Sequence, residues 1–148
     1  MPHRILVVCL GNICRSPLAH GIFESILDQA HVIDSAGTAA YHIGNPPNPR
    51  SVSVAKKNNI DISQQKARQF TVADFDDFDQ IFVMDRQNYL DVCNLARGEN
   101  DRRKVQLLCE AAGLNIESVP DPYYGEQEGF ENVFSLIFSA CEKIKNTL

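Results

Sequence analysis

The chain has 148 residues, of which 44% are hydrophobic and 22% are charged, with a formal net charge of −5. This composition excludes intrinsically disordered, collagen-like and low-complexity classes, and the acidic balance argues against a general nucleic-acid binder. No apolar run approaches the roughly 20 residues that cross a bilayer. Five cysteines at irregular spacing indicate reduced thiols rather than a disulfide framework. We therefore expect a cytoplasmic protein that binds neither nucleic acid nor membranes.

The first third of the chain has the pattern of a strand, a helix and a second strand. Residues 5–9 form a continuous apolar run rich in β-branched side chains, which predicts a buried parallel strand. A helix is expected to begin with Ser16 as N-cap and Pro17 at the first helical position. Residues 31–36 predict the second strand, which Gly37 ends.

The middle of the chain begins with a long loop. Residues 38–49 are rich in Gly, Asn and Pro, and loops of this length are often functional. Residues 51–58 predict a helix. The acidic residues 74–79 are expected to be a solvated helix start that leads into a strand over residues 80–84.

The last part of the chain alternates in the same way. Asp85 is expected to cap a helix that runs to about Arg97. Residues 104–108 predict a fourth strand, and residues 117–125 predict a turn-rich loop. From residue 127 onward, apolar side chains recur at i, i+3, i+4 and i+7, which predicts a final amphipathic helix packed on the core.

Strands that alternate with helical segments are typical of βαβ units. We therefore expect one α/β domain over residues 1–148, with a doubly wound, mostly parallel four-stranded sheet flanked by helices. Ligands of such sheets bind at the carboxyl ends of the strands. Because Cys9 ends the first strand, we expect a phosphate-binding loop directly after it.

The segment CLGNICRSP after the first strand has the features of an oxyanion site. A loop closed between a strand and a helix N-terminus can aim successive backbone N–H groups into one concavity. Gly11 permits unusual backbone angles, and Asn12 tolerates the left-handed region. Arg15 offers a planar guanidinium for two phosphate oxygens. Cys9 would lie at the floor of this positive cavity as a thiolate, with the Ser16 hydroxyl placed to donate to it.

A second segment supplies a candidate acid. A nucleophile that attacks phosphorus needs a group that protonates the leaving oxygen. Asp121 is stiffened between Pro120 and Pro122. Tyr123 and Tyr124 follow directly and would give this acid aromatic surroundings.

Together these segments resemble the low-molecular-weight protein-tyrosine phosphatase family, over nearly the whole chain. VCLGNICRSP matches the nucleophile loop of that family residue for residue. The later landmarks match in order, and they are DSAGT at 34–38, YHIG at 41–44, ARQ at 67–69, FD at 78–79 with MD at 84–85, and DPYYG at 121–125.

The resemblance implies hydrolysis of phosphotyrosine through a cysteinyl-phosphate. Cys9 would be the nucleophile, Arg15 the transition-state clamp, and Asp121 the general acid and then base. A network that includes Ser35 would hold Asn12. The residues implied around the phosphate and the cleft are Leu10, Gly11, Asn12, Ile13, Cys14, Ser16, Tyr41, Tyr123 and Tyr124.

The resemblance also implies partners and regulation. Phosphotyrosine-containing proteins would be the substrates, inorganic phosphate the product and an inhibitor, and the protein a monomer or weak homodimer. Cys14 would be a redox partner of Cys9. No metal or organic cofactor is expected, and the four histidines show no metal-ligand spacing. Two positions depart from the family: Tyr41 replaces a frequent Trp, and Gln65 replaces a His of the animal enzymes.

Three alternatives remain open at this stage. A thiol-dependent arsenate reductase on the same fold would need further cysteines, for which Cys93 and Cys109 are candidates. A phosphoarginine phosphatase has a similar loop, but with Thr where this chain has Ile13. An inactive anion-binding module would contain Cys9 as an inert buried thiol. Arsenate-dependent thioredoxin oxidation, phosphoarginine turnover, and the effect of Cys9→Ser on aryl phosphate hydrolysis would distinguish them.

Overall fold

The computed structural model describes residues 2–123 and 126–148. Its strands β1 (Arg4–Cys9), β2 (Val32–Gly37), β3 (Gln80–Val83) and β4 (Val105–Leu107) form one sheet in the order β2-β1-β3-β4. Every neighbouring pair in this sheet is parallel. The expected doubly wound α/β fold is confirmed, with an all-parallel sheet.

Helices connect the strands and cover both faces of the sheet. In chain order they are α1 (Arg15–Ile26), α2 (Pro49–Lys57), α3 (Asp74–Asp77), α4 (Arg86–Cys93), α5 (Glu99–Arg102), α6 (Leu108–Ala111) and α7 (Gln127–Lys145). The final helix buries the side chains whose periodicity predicted it, among them Phe130, Val133 and Ile137. The short helices α5 and α6 escaped prediction because a single turn is too short to show a period.

Strand β1 is buried on both faces and divides the core in two. Ile5, Val7 and Cys9 point to the side covered by α1 and α7, while Leu6 and Val8 point to the side of α3 and α4. Burial on both faces explains the continuous apolar run, since neither face needs polar residues. Cys9 therefore ends the central strand on the α1 side.

Of the two expectations about the boundaries of α4, the N-cap is confirmed and the C-terminal end is wrong. Asp85 does cap α4: its Oδ1 accepts from the Asn88 backbone N–H at 2.8 Å, and Asn88 Oδ1 accepts in return at 3.2 Å. The helix ends at Cys93 rather than near Arg97. The backbone N–H of Arg97 donates to Asp101 at 2.8 Å, so the chain turns into α5 there.

The acidic segment was expected to be solvated, and for Asp74 this is wrong. Asp74 is only 4% exposed. Its carboxylate accepts from both Nη atoms of Arg68, at 3.0 and 3.1 Å, which compensates its burial.

Within residues 2–123 and 126–148, no helix has the length and apolar character to span a membrane.

Candidate active site

The loop between β1 and α1 forms the floor of a cavity of about 310 Å³ at the carboxyl end of the central strand. The loops around residues 41 and 121 form its walls. The cavity is lined by Cys9, Leu10, Gly11, Ile13, Cys14, Arg15, Tyr41, His42, Asp121 and Tyr123. The structure thus gathers most of the expected site residues from three separate segments into one place. Tyr124 lies outside the described residues.

Four carbonyl groups of the loop are turned outward, toward neighbouring segments. The four carbonyls and their donors are Cys9 O with Thr38 N–H at 2.9 Å, Leu10 O with Ala39 N–H at 2.9 Å, Ile13 O with Asn48 N–H at 2.8 Å, and Cys14 O with the Ser51 hydroxyl at 3.3 Å. In a trans peptide the carbonyl and the next N–H point in opposite directions. The N–H groups after these carbonyls are therefore turned into the loop, which suits an oxyanion.

Asn12 supplies the sharp bend of the loop. Its φ is +57°, in the left-handed region that Asn tolerates. The Asn12 amide N–H donates to Ser16 Oγ at 2.8 Å, and its Oδ1 accepts from the Arg68 backbone N–H at 3.0 Å. The left-handed conformation is taken by Asn12, which the sequence had indicated could tolerate it, whereas the φ of Gly11 is not positive. A Cβ at residue 11 would lie 2.9 Å from Cδ2 of His42, so any larger residue there would require the His42 ring to shift.

Gly37 allows the loop to pack against the end of β2. A Cβ at this position would lie 2.8 Å from the Leu10 carbonyl oxygen and 3.1 Å from the Asn12 backbone nitrogen. Real Cβ atoms do not approach backbone that closely, so only Gly permits the observed loop position. The sequence had indicated Gly37 only as the residue that ends a strand.

Ser16 was expected to be the N-cap of α1, and this is wrong. The helix begins at Arg15, after Cys14 at the N-cap, and no side chain of the described residues caps its first turn. Ser16 is fully buried, and its Oγ lies 3.1 Å from Cys9 Sγ. Since Ser16 Oγ already accepts from Asn12, its own proton is free to point at the Cys9 sulfur.

Arg15 is buried, with 2% of its surface exposed, and is held from two sides. Its Nη1 donates to Asp85 Oδ2 at 2.6 Å and to the Val119 carbonyl at 3.1 Å. Burial opposes the charge, but Cys9 and Asp85, together with Asp121, raise the pKa of Arg15 above its ordinary value. The guanidinium is therefore a permanent cation with a fixed orientation.

Asp121 faces this cation from the opposite wall. Its Oδ2 lies 3.6 Å from Arg15 Nη2, and its Oδ1 accepts from the Tyr123 backbone N–H at 3.1 Å. Its side chain is 43% exposed, so water can reach it. Asp121 thus stands at the mouth of the cavity, where a leaving group would depart.

Burial governs the chemistry of the Cys14 thiol. Burial, followed by the charges of Cys9 and Asp121, raises the pKa of the Cys14 thiol to about 12. Cys14 is therefore an un-ionised thiol at neutral pH, although it lines the same cavity. This leaves Cys9 as the candidate nucleophile.

The rim of the cavity is aromatic and apolar. Tyr41 is 75% exposed, and its ring lies edge-on to His42 with centroids 6.4 Å apart. His42 also lies 6.3 Å from the Tyr123 ring. Ile13 is buried in the wall of the cavity, while Leu10 is exposed at its edge. These side chains surround the space above Cys9 where an aromatic leaving group would fit.

The expected link between Ser35 and Asn12 is not among the hydrogen bonds of the described residues. The Ser35 hydroxyl lies 3.0 Å from Nδ1 of His20 instead. Burial lowers the pKa of His20, against the charges of Glu24 and Asp34. Gln65, which replaces a His of the animal enzymes, donates to the Pro17 carbonyl at 3.2 Å and so contacts the start of α1.

Several residues of the site were missed by sequence reasoning. Asp85 was noted as a helix cap and as part of a family landmark but was given no role in the site, and neither were His20, His42 and Arg68. The position of Asp85 contained a usable signal, because it follows β3, the strand next to β1, and ligand-binding groups collect at such strand ends. No three His, Cys, Asp or Glu side chains within the described part of the chain are grouped to hold a metal.

Comparison with known proteins agrees with this geometry. A model of the low molecular weight phosphotyrosine protein phosphatase family matches residues 4–148. The low molecular weight phosphotyrosine protein phosphatase of Schizosaccharomyces pombe is 41% identical over 138 residues, which cover 88% of this chain and 87% of that protein.

Solved structures with lower sequence identity match the fold closely. A protein tyrosine phosphatase of Entamoeba histolytica with Hepes in its active site superposes with a TM-score of 0.92 at 33% identity, covering 98% of this chain and 96% of that one. An arginine phosphatase of Drosophila superposes with a TM-score of 0.90 at 30% identity, covering 97% of this chain and 96% of that one.

Proposed function

The chain belongs to the low molecular weight phosphotyrosine protein phosphatase family, and on that premise we propose how its own residues hydrolyse a phosphotyrosine monoester. The observation that supports this assignment is the meeting of Cys9, Arg15 and Asp121 around one cavity. The reaction takes two steps, with a cysteinyl-phosphate between them.

In the first step the Cys9 thiolate attacks phosphorus in line with the tyrosyl oxygen. The inward N–H groups of the loop and the Arg15 guanidinium hold the equatorial oxygens as charge spreads over them. Asp121, protonated at this stage, donates its proton to the departing tyrosyl oxygen. The phosphorus–oxygen bond to tyrosine breaks as the phosphorus–sulfur bond forms.

In the second step water replaces the tyrosine. The Asp121 carboxylate accepts a proton from water, which attacks the cysteinyl-phosphate and releases inorganic phosphate. Cys9 departs as a thiolate, and the hydroxyl of Ser16 at 3.1 Å stabilises it. The cycle ends with the Cys9 thiolate and the Asp121 proton restored.

Asp121→Asn tests the assignment of the acid. We expect kcat/KM for a phosphotyrosine peptide to fall about 10²- to 10³-fold, and that for p-nitrophenyl phosphate to fall much less, because only a basic leaving group needs a proton. Asp61→Asn is a matched control, since Asp61 also accepts from the N–H two residues ahead, at 2.9 Å, but lies away from the cavity. Equal losses for both substrates would show that Asp121 is not the acid.

The substrate preference is proposed from the wall of the cavity. Ile13 contributes a bulky apolar side chain beside the aromatic rim, which suits a phenyl ring better than a guanidinium group. We therefore expect phosphotyrosine peptides to be hydrolysed with a higher kcat/KM than phosphoarginine peptides. The test measures kcat/KM for one peptide sequence that carries either phosphotyrosine or phosphoarginine. Faster phosphoarginine hydrolysis would reverse the assignment.

Arsenate reduction is not favoured. Its thiol relay would need Cys9 to exchange with further cysteines. Cys93 packs with the core on the α3 and α4 side of the sheet, whereas Cys9 and Cys109 pack on the opposite side. The sheet thus separates the two candidate relay cysteines.

Cys14 is proposed as the redox partner of Cys9. Peroxide would oxidise the Cys9 thiolate to a sulfenic acid, and Cys14 would attack that sulfur, releasing water and closing a disulfide. With a Cys14 pKa of about 12, its thiolate fraction rises as pH rises, so closure should be faster at pH 8 than at pH 6.

The test compares peroxide-treated wild type with Cys14→Ser. We expect dithiothreitol to restore wild-type activity and to restore the variant less fully, because the variant's sulfenic acid oxidises further. Peptide mapping should find a Cys9–Cys14 link in the wild type. Full recovery of the variant, with no linked peptide in the wild type, would exclude the disulfide.

The remaining proposals concern the cellular context. Phosphotyrosine-containing proteins are the substrates that family membership implies, and inorganic phosphate, which the same loop would bind, is proposed as product and inhibitor. The match over residues 4–148 supports a single domain over residues 1–148. Five free cysteines support a cytoplasmic location. We propose a monomer or weak homodimer.

A further inference from the structure

Arg68 lies outside the cavity, yet its backbone holds one end of the Asn12 side chain. We propose that the ion-pair cluster of Asp34, Arg68 and Asp74 is a positioning element of the active site. Through Asn12 and Ser16, this cluster fixes the hydroxyl that stabilises Cys9. The inference rests on the proposed role of Cys9 as the nucleophile.

The cluster holds the Arg68 guanidinium on two edges. Both Nη atoms donate to the Asp74 carboxylate, at 3.0 and 3.1 Å, while Nε donates to Asp34 Oδ2 at 3.1 Å. Nη2 also lies 3.1 Å from Asp34 Oδ2. Burial opposes the charge of Arg68, but Asp74 and Asp34 raise its pKa above the ordinary value. Paired planar contacts on two edges restrict the side chain to a single orientation.

The backbone of Arg68 is fixed in the same way. Its carbonyl accepts from the Gly37 N–H at 2.8 Å, and its N–H donates to Asn12 Oδ1 at 3.0 Å. The cluster therefore joins β2, α3 and the residues between them into one support behind the loop. Any shift of Arg68 would be passed to Asn12.

Asn12 connects the Arg68 backbone to the Ser16 hydroxyl. Its amide group is held at Oδ1, so its N–H groups have a fixed direction and donate to Ser16 Oγ at 2.8 Å. Ser16 must then use its own proton elsewhere, and Cys9 Sγ lies 3.1 Å away. If Arg68 moves, the Asn12 amide can rotate, and the Ser16 hydroxyl loses the contact that orients it.

Removing a charge from an ion pair that only stabilises the fold would leave the reactivity of Cys9 unchanged. The chain contains such a pair for comparison. Asp76, on the same helix α3, makes an equally close paired contact with Arg97, at 2.7 and 3.1 Å. Among the described residues, this pair has no hydrogen bond to the phosphate loop. Asp76→Asn therefore removes the same charge from the same helix without touching the chain of contacts to Cys9.

The experiment compares Asp74→Asn with Asp76→Asn. For Asp74→Asn we expect kcat for p-nitrophenyl phosphate to fall about tenfold with KM nearly unchanged, because the phosphate-binding groups stay in place while the thiolate loses its stabilising contact. The rate of Cys9 alkylation by iodoacetamide at pH 6 should fall by a similar factor. Asp76→Asn should keep both rates within about twofold of wild type.

Two further variants cover the case in which Asp74→Asn does not fold. Asp34→Asn alters the more exposed edge, and Arg68→Lys keeps the charge but loses the paired contacts. Each should lower kcat and Cys9 alkylation together by about threefold or more. Thermal unfolding is measured for every variant.

The inference is overturned if the folded variants keep wild-type kcat and alkylation rates, or if kcat falls without a change in alkylation. An inactive Cys9→Ser variant in the same series would then show that only this inference fails. If Cys9→Ser remains active, the proposed function itself is wrong.

Discussion

Replacing Cys9 with Ser is expected to lower kcat for p-nitrophenyl phosphate by at least about 10⁴-fold, since a serine hydroxyl is not ionised at neutral pH and is a much weaker nucleophile than a thiolate. The change of sulfur to oxygen is small, and the residue is buried at the end of β1, so the fold should persist. The measurement is steady-state hydrolysis, with circular dichroism to verify folding. Phosphate binding by the loop should remain.

Cys93→Ser is the matched control for this experiment. Cys93 is a half-buried free cysteine on the opposite side of the sheet, and its replacement should leave kcat within about twofold of wild type. A Cys9→Ser variant with more than about a hundredth of wild-type activity would mean that another group is the nucleophile.

Arg15→Lys is expected to lower kcat/KM for aryl phosphates about 10³-fold. Asp85 and the Val119 carbonyl hold Nη1, which leaves Nη2 directed at the cavity and toward Asp121. A lysine keeps the charge but offers a single point, so it cannot contact Asp85 and two phosphate oxygens at once. The loss should therefore fall mainly on the transition state, where the oxygens carry the most charge.

The control for Arg15→Lys is Arg86→Lys, an exposed arginine that neighbours Asp85 in sequence and pairs with Glu117 at 3.8 Å. It should leave kcat/KM within about twofold of wild type, because exposed ion pairs contribute little. Should Arg15→Lys retain more than a tenth of wild-type kcat/KM, the bidentate contact would not be what stabilises the transition state.

The sheet and the loop were predictable because their signals are local. An apolar run such as residues 5–9 must be buried on both faces, and that requirement leaves a parallel central strand as the solution. The spacing from Cys9 to Arg15 places the proposed nucleophile and a cation at the two ends of one loop. The i, i+3, i+4 period of α7 likewise depends only on neighbouring turns of one helix.

Where those signals failed, a hydrogen bond between distant segments decided the outcome. Ser16 is a residue type that favours the N-cap position, but its hydroxyl contacts Asn12 and Cys9 instead. Asp74 belongs to an acidic stretch that looks solvated, but Arg68 pairs with it and makes its burial possible. No local pattern announces either partner.

The sequence by itself therefore determined the class of fold and the position of the loop that has the proposed chemistry, since period and composition act within a few residues. Only the tertiary structure decided what holds that chemistry in place. Arg15 is fixed by Asp85, 70 positions along the chain, and Asn12 is fixed by Arg68, 56 positions along. Asp85 reaches Arg15 because β3 lies beside β1 and parallel strands bring their carboxyl ends to one edge of the sheet; no local pattern encodes that strand order. Arg68 reaches Asn12 because its carbonyl accepts from the Gly37 N–H at the end of β2.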